Sequence, residues 1–317
     1  TYTDDMEFLV NNFDVDWVFN NVPILKNIKP CTLNTSGVVT HYLDKDDYSR
    51  DTDGNSVNIT SGDNVMVEFP KMYWYIYKED NIVHFKLASY KVNNNYKALA
   101  HLRGTSEQDK IYIGAYLGYL NSSTLKSWSG RTPTASKTSA NFRSYAQANG
   151  TNYQKMTWYM YLMLEILFVL KYKSTDCQTA LGRGYVDGNS AAISTGNTNT
   201  KGFNFGETTG TQQMKFLGIE DVWGNLYQFI DGLYTDGYVI KTTQGSFADF
   251  SGSNITSTDS GLSTNTSGYI TKIQGTTETG FLLKAASGSE TTFYCDNGYL
   301  CSSCLPVVGG YWSDGGL

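Results

Sequence analysis

The stretch GIEDVWGNLYQFIDG, residues 218–232, alternates apolar and polar side chains on both sides of a Gly-Asn pair. Such alternation is typical of half-buried strands, and Gly-Asn favours the positive φ angles of a tight turn. We therefore expect a strand, a turn at Gly224 and Asn225, and a return strand. The function depends on whether this hairpin belongs to an enzyme, to a lectin-like scaffold or to an ordinary sheet.

The composition predicts a folded chain with many aromatic side chains. Of its 317 residues, 40% are hydrophobic and 17% are charged, which is too apolar and too weakly charged for disorder. The chain contains 24 Tyr, 6 Trp and 31 Gly residues. Tyr and Trp supply rigid contact area and Gly supplies turns, so the composition fits either a binding surface or a turn-rich β fold.

The charge pattern argues against nucleic-acid and membrane partners. The net charge is −6 and the sequence contains no long Lys/Arg run that could neutralise phosphates. The longest apolar run, residues 156–172, is shorter than a membrane span and contains Glu165 and Lys171. We expect it to form a buried helix, with no membrane insertion.

Two parts are expected along the chain. Residues 1–60 are predicted to form a lead-in or attachment segment, because the segment ends in a polar tract with turn signals at Asp53-Gly54 and Gly62-Asp63. Residues 61–317 are predicted to form the main domain. Its long Gly-, Asn-, Ser- and Thr-rich connections are where function is expected.

The main domain is predicted to be α+β, with twisted antiparallel sheets, two helices and long loops. Alternation over residues 65–92 predicts a hairpin with a connection of about four residues at 78–81. Residues 110–120 predict a further strand. One helix is expected to start at an N-cap, Ser139, and to stop at Gly150, and a second is expected over residues 155–172.

The cysteines do not predict a metal site. Cys295, Cys301 and Cys304 form a C-x5-C-x2-C pattern, but a zinc site needs a fourth ligand and the three histidines lie far upstream. Free or paired thiols in a surface loop are the favoured interpretation. No metal and no cofactor are predicted.

Three common motifs of nucleotide binding and nucleophilic catalysis are missing, although the three histidines leave a Ser-His-Asp arrangement open. The glycines of GRGYVDG, residues 182–188, miss the dinucleotide fingerprint, and neither a phosphate loop nor a G-x-S-x-G elbow occurs. Four acids could supply a glycoside-hydrolase pair, but acids are common beside turns. These four are Glu220, Asp221, Asp231 and Asp236. No catalytic residue is predicted.

GIEDVWGNLYQF resembles the G-x-x-D-M-x-G-N-V-x-E-W signature of the formylglycine-generating-enzyme and sulfatase-modifying-factor family, a branch of the C-type lectin fold. Gln228 and Phe229 stand where the family has Glu and Trp. GGYW, residues 309–312, resembles the GGSW strand of that fold, and residues 157–167 resemble the helix behind its sheet. The structural signature carried over comprises Gly218, Asp221, Trp223, Gly224 and Asn225.

The resemblance does not extend to catalysis. In formylglycine-generating enzymes a copper-binding cysteine pair follows the GGSW-like strand, whereas Ser313 and Asp314 follow it here. The related iron-dependent sulfoxide synthases use three histidines, and no histidine occurs after His101. The resemblance therefore implies a scaffold and not an enzyme.

The order of HYLDKDDYSRDTDGN, VMVEFPKMYWYIY, IYIGAY, GIEDVWGN and GGYW is similar to that of tailed-bacteriophage surface proteins with a C-type-lectin domain. These include tail-fibre and receptor-binding proteins and variable proteins of diversity-generating retroelements, of the major tropism determinant type. The resemblance implies a virion-surface protein, made in the bacterial cytoplasm, that assembles as a homotrimer with other virion proteins. Its C-terminal loops would bind a host-surface receptor, glycan or protein.

The receptor-binding residues implied by this resemblance lie in YCDNGYLCSSC and GGYWSDGG. Tyr offers contact area, and Asn, Ser and Asp offer hydrogen bonds, so these residue types suit contact without new chemistry. The set comprises Tyr294, Asp296, Asn297, Tyr299, Ser302, Ser303, Tyr311, Trp312, Ser313 and Asp314.

Other functions remain open at this stage. The same fold could serve as a capsid decoration, head-fibre or tail structural protein without a receptor of its own, or as a cellular adhesin outside any phage. A formylglycine-generating-type oxidase with a displaced thiol pair, Cys301 and Cys304, is a further alternative. The resemblance also implies that the domain continues past Leu317 or is completed by a partner.

Overall fold

The computed structural model describes residues 14–80, 82–188, 190–243, 255–289 and 296–315. These residues form the predicted α+β fold, in which every strand pair is antiparallel. The helices are α1 (Val15–Asn21), α2 (Pro23–Lys26), α3 (Ser139–Gln147), α4 (Trp158–Tyr172) and α5 (Cys177–Ala180), with a 3-10 turn at Leu99–His101.

The strands in the first half of the chain are β1 (Lys29–Leu33), β2 (Val39–Tyr42), β3 (Asn64–Pro70), β4 (Tyr73–Glu79), β5 (Ile82–Ala88), β6 (Leu102–Arg103), β7 (Ser106–Glu107), β8 (Lys110–Gly114), β9 (Tyr119–Asn121) and β10 (Thr124–Lys126). Those in the second half are β11 (Lys215–Phe216), β12 (Ile219–Glu220), β13 (Gln228–Phe229), β14 (Leu233–Asp236), β15 (Val239–Thr243), β16 (Ile255–Asp259), β17 (Thr266–Gln274), β18 (Leu282–Ala286), β19 (Asn297–Leu300) and β20 (Val307–Val308).

Among the described residues, three sheets have more than two strands. The largest has the order β2-β1-β3-β8, and the other two are β14-β15-β16 and β18-β17-β19. The remaining strands form two-stranded units, of which β13-β20 joins segments far apart in sequence. This pairing brings β20 beside the opening stretch 218–232.

The predicted buried helix is α4. It starts at Thr157, whose side chain accepts a hydrogen bond from the Met160 amide, and ends at Lys173 in the left-handed conformation. Trp158 donates its indole N–H to the Glu278 carbonyl at 2.8 Å, so polar ring atoms are satisfied although the helix is buried. Because its apolar side chains point in nearly every direction, α4 packs at the centre of the main hydrophobic core.

The predicted hairpin forms from β4 and β5, but its connection is shorter than four residues because the strands pair as far as Glu79 and Ile82. The preceding apolar residues form a separate strand, β3, in another sheet. The break falls at Pro70, which has no N–H to donate, and the Lys71 amide then bonds to the Asp109 carbonyl at 2.8 Å. Alternation alone did not reveal this change of sheet.

The predicted helix after residue 138 is α3, with its N-cap one residue earlier than expected. Thr138 caps the helix and forms a capping box with Asn141, so Ser139 is the first helical residue. The helix ends at Gln147, before the predicted stop at Gly150.

The described part of the lead-in segment belongs to the same packed body as the rest of the chain. The predicted boundary near residue 60 falls between β2 and β3, and β1 lies between these two strands in one sheet. Ile28, Leu43 and Tyr48 are buried in the same core cluster as α4. Residues 14–60 therefore contribute sheet and core as well as a lead-in.

The opening stretch is not a simple hairpin. Its first strand, β12, pairs with β11, whereas its second, β13, pairs with β20, so the prediction that the two strands pair with each other was wrong. The reason is a second turn, because Asp221 has a φ of 55° directly after β12, before Gly224 (83°) and Asn225 (67°). The predicted positive φ at the Gly-Asn pair is confirmed.

Candidate functional site

Asn225 connects four segments of the chain through hydrogen bonds. Its side-chain oxygen accepts from the Ile193 amide at 3.0 Å, and its side-chain N–H groups donate to the Ile193 carbonyl and to Asp221 Oδ2. Its backbone N–H donates to the Tyr185 carbonyl at 2.7 Å, and its carbonyl accepts from the Trp312 amide at 3.1 Å. Asn tolerates the left-handed conformation that this position requires.

The glycines of the signature allow close approach. A Cβ atom on Gly224 would lie 2.7 Å from the Tyr185 amide nitrogen, and one on Gly218 would overlap the Tyr48 hydroxyl. Both glycines also have positive φ angles. The signature is thus a packing element that lets distant segments meet.

Two buried carboxyl groups lie beneath this loop. Glu220 Oε2 accepts from the Thr198 amide at 2.9 Å and its hydroxyl at 2.6 Å, and Oε1 accepts from the Gly196 amide at 2.7 Å. Asp221 Oδ2 accepts from Gln213 and Asn225. Burial, and then the neighbouring Glu220, raise the pKa of Asp221 well above its usual range. These acids serve the scaffold, because their hydrogen bonds run to the loops around them.

The C-terminal turn, residues 309–315, packs on the signature loop, which we define as residues 221–225. The Gly224 amide donates to the Gly309 carbonyl, and the Gly188 amide donates to the Trp312 carbonyl. The Gly315 amide donates to the Val186 carbonyl at 3.1 Å. GGYW is therefore a turn that follows β20, and not a strand as predicted.

An aromatic platform, defined as Tyr227, Tyr311 and Trp312, combines two residues of this turn with Tyr227 from the stretch 218–232. The rings of Tyr227 and Tyr311 are nearly parallel, 5.9 Å apart, and Trp312 lies 4.8 Å from Tyr311. Tyr227 is 53% exposed. Burial of the Tyr227 hydroxyl, followed by its hydrogen bond to Asp314, raises the pKa of Tyr227 to about 12, so its hydroxyl stays neutral.

A second polar and aromatic patch surrounds β19. Tyr299 is 63% exposed, and its hydroxyl accepts from Asn265 Nδ2 at 3.3 Å. Tyr238 donates to the same Asn265 side chain at 3.1 Å. Asn297 is also exposed on this strand.

A disulfide loop carries the next predicted residues. Cys301 and Cys304 form a disulfide, and Ser302 and Ser303 between them are exposed. The Cys304 amide donates to Thr235 Oγ1 at 2.8 Å, which holds the loop against β14. These thiols are therefore paired within a surface loop, one of the two states expected from the sequence.

The structure divides the predicted receptor-binding residues into groups. Tyr311, Trp312, Ser313 and Asp314 share the C-terminal turn, whereas Asn297, Tyr299, Ser302 and Ser303 surround β19. Tyr294 lies outside the described residues. Asp296 lines a cavity together with Asn297 and Tyr299 but is less exposed than these two, and burial raises its pKa to about 7.

Sequence reasoning missed three surface residues. Tyr227 completes the aromatic platform, and Tyr238 and Asn265 complete the patch around Tyr299. Tyr227 lies two residues after the Gly-Asn turn, inside the stretch that decides the fold, which was an available signal. Tyr238 and Asn265 carry no local signal, since β17 pairing with β19 brings Asn265 to Tyr299 and Tyr238 joins them by a side-chain hydrogen bond from another sheet.

The platform and the patch border one cavity of about 890 Å3. Its lining includes Tyr227 at one side and Tyr299 at the other, and its inner wall is α4. Within the described ranges, no three His, Cys, Asp or Glu side chains are grouped as a metal site would need. None of the helices seen there combines the length and the apolar character of a membrane span.

No protein-family model matches the chain, and no curated protein is significantly similar to it in sequence.

Proposed function

We propose that this chain is a non-enzymatic surface protein of a tailed-bacteriophage virion that binds a host cell-surface receptor, and that its α+β fold is of the C-type lectin type. The observation that carries the proposal is the aromatic platform on a turn fixed by backbone hydrogen bonds. Rigid aromatic side chains beside polar groups give contact area at low entropic cost.

The chemistry of the platform favours a glycan as receptor. The flat faces of Tyr227 and Tyr311 suit the apolar faces of sugar rings, and Asp314 and the exposed Ser313 can accept or donate hydrogen bonds to sugar hydroxyls. The patch around Tyr299 offers the same combination of an exposed ring and amide groups. A protein receptor is the other outcome that the experiment distinguishes.

The first test is binding of the fluorescently labelled chain to host cells. Tyr311→Ala should weaken binding at least tenfold, about 1.4 kcal/mol, because a central aromatic anchor is lost. Tyr90→Ala is the matched control, since it removes another exposed ring, 66% exposed, that is not part of the platform. Equal binding by both variants would contradict the platform as the contact site.

Treatment of the cells identifies the receptor class. Periodate oxidation of cell-surface sugars should abolish binding, whereas protease treatment should leave it. The reverse result would indicate a protein receptor. Wild-type chain that binds neither treated nor untreated host cells would reject receptor binding, and immunogold label over the capsid would then favour a decoration protein.

We further propose that the chain assembles as a homotrimer with other virion proteins. Its support is the resemblance to phage adhesins in the order of the motifs. Sedimentation equilibrium of the purified chain should give three times the monomer mass, and a monomer at all concentrations would reject the trimer.

A further inference from the structure

The cavity of about 890 Å3 lies between α4, α5 and the β17–β19 sheet. This volume is within the range of small-molecule sites, roughly 300–1,000 Å3. Tyr299, Leu305 and Val307 are exposed residues that also line the cavity, so it reaches the surface. A ligand can therefore enter it without unfolding the core.

Two carboxyl groups face this mostly apolar space. Glu165 on α4 and Asp296 before β19 both line the cavity, and they are close enough for Asp296 to raise the pKa of Glu165. Glu165 Oε2 is inaccessible to bulk solvent and has no hydrogen-bond partner among the described residues. Asp296 has a hydrogen bond to Gln178. A buried carboxyl oxygen without a partner is costly unless a ligand or a proton satisfies it.

The described lining offers little positive charge to these acids. Arg183 is its one basic side chain, and it already pairs with Asp187 at 2.6 Å and donates to the Gly315 carbonyl. Trp158, Tyr161 and Phe168 add aromatic rings to the lining of the same cavity. Aromatic faces and carboxylates both attract an ammonium group, and the remaining lining suits an apolar body.

We infer that this cavity is a binding site for a small organic cation, an ammonium group joined to an apolar or aromatic body. The cation lies against Glu165 and Asp296, and its body packs on the aromatic side chains of α4. The cavity borders the proposed receptor-binding surface and shares Tyr227 and Tyr299 with it, but the cation would bind at Glu165 and Asp296, which are not part of the aromatic platform.

The affinity for such a cation depends on pH. Burial, and then Asp296, raise the pKa of Glu165 to about 8, and burial raises that of Asp296 to about 7. Because the ionised acids bind the cation, affinity rises as pH increases through these values. The other titratable groups that line the cavity or act on the two acids are Tyr161, Asp176, Cys177, Arg183, Tyr227, Tyr234 and Tyr299.

Calorimetric titration of the full chain tests the inference, with benzyltrimethylammonium as a permanently charged probe and benzyl alcohol as its neutral counterpart. The cation should bind saturably and at least tenfold more tightly than the alcohol, and more tightly at pH 8.5 than at pH 6. Glu165→Gln should weaken binding of the cation about tenfold. Glu79→Gln removes an equal charge from an exposed site outside the cavity lining and should leave the affinity unchanged.

If Glu165→Gln fails to fold, two measurements still test the inference. These are cation binding by Asp296→Asn and the pH dependence of cation binding by the wild-type chain. The inference is overturned if the cation does not bind, if both probes bind equally, or if the affinity is independent of pH and of both cavity substitutions. Failure here leaves host-cell binding intact, so the two proposals are tested separately.

Discussion

At the scale of single residues, Asn225 explains why the Gly-Asn pair lies where it does. Sequence pattern predicted its positive φ, because Gly-Asn is a local signal. Its four connections to Tyr185, Ile193, Asp221 and Trp312 were not predictable, since they join segments up to 87 residues away in number, from 225 to 312. Local propensity predicts the turn, whereas the hydrogen bonds that make the turn structurally important form only in the tertiary structure.

Asn225→Ala should destabilise the fold by about 3 kcal/mol. The substitution leaves the Ile193 backbone groups and Asp221 without their hydrogen bonds to Asn225, which costs about 1–3 kcal/mol for unsatisfied buried groups. It also forces alanine into a left-handed conformation, which costs about 1 kcal/mol. Asn225→Gly removes the same amide but tolerates the backbone, so it should recover about 1 kcal/mol. Urea denaturation of the three proteins measures this, and equal stability of both variants would show that the backbone strain is negligible.

At the scale of elements, prediction succeeded where the signal is local and failed where pairing is distant. The apolar run that becomes α4 and the alternation that becomes β4 and β5 are visible in sequence. The pairing of β13 with β20 joins Gln228 to Val308, 80 positions later in the chain, and periodicity cannot predict a contact over that distance. That pairing, however, brings the C-terminal turn to the signature loop and so forms the candidate site.

Helix α4 carries a pH-dependent contribution to stability through Glu165. Because burial raises its pKa from 4.5 to about 8, the folded state holds this proton more tightly than the unfolded state. The stability that it contributes is complete below about pH 4.5 and is lost as pH rises towards 8. Wild-type Tm should therefore fall over this window, and Glu165→Gln should make the fall shallower. An identical Tm profile in both proteins would show that Glu165 does not titrate in this range.

At the scale of the whole molecule, the described part of the lead-in segment determines where the folded domain begins. β1 lies between β2 and β3, and Ile28 and Tyr48 belong to the common core. A chain that begins at residue 61 would leave one edge of β3 unpaired and expose apolar core surface. We expect this truncated chain to be insoluble or to lack a cooperative thermal transition. A soluble truncated chain with the Tm of the full chain would show that the domain starts at residue 61, as the polar tract predicted.

If the aromatic platform binds the receptor of a phage, as we propose, the purified chain should compete with phage particles for adsorption to host cells. Host cells are incubated with excess purified chain, and the rate at which phage particles adsorb is measured. Wild-type chain and Tyr90→Ala should both slow adsorption, whereas Tyr311→Ala should not, because it lacks one stacked ring of the platform. No inhibition by wild-type chain, or equal inhibition by all three proteins, would contradict the claim.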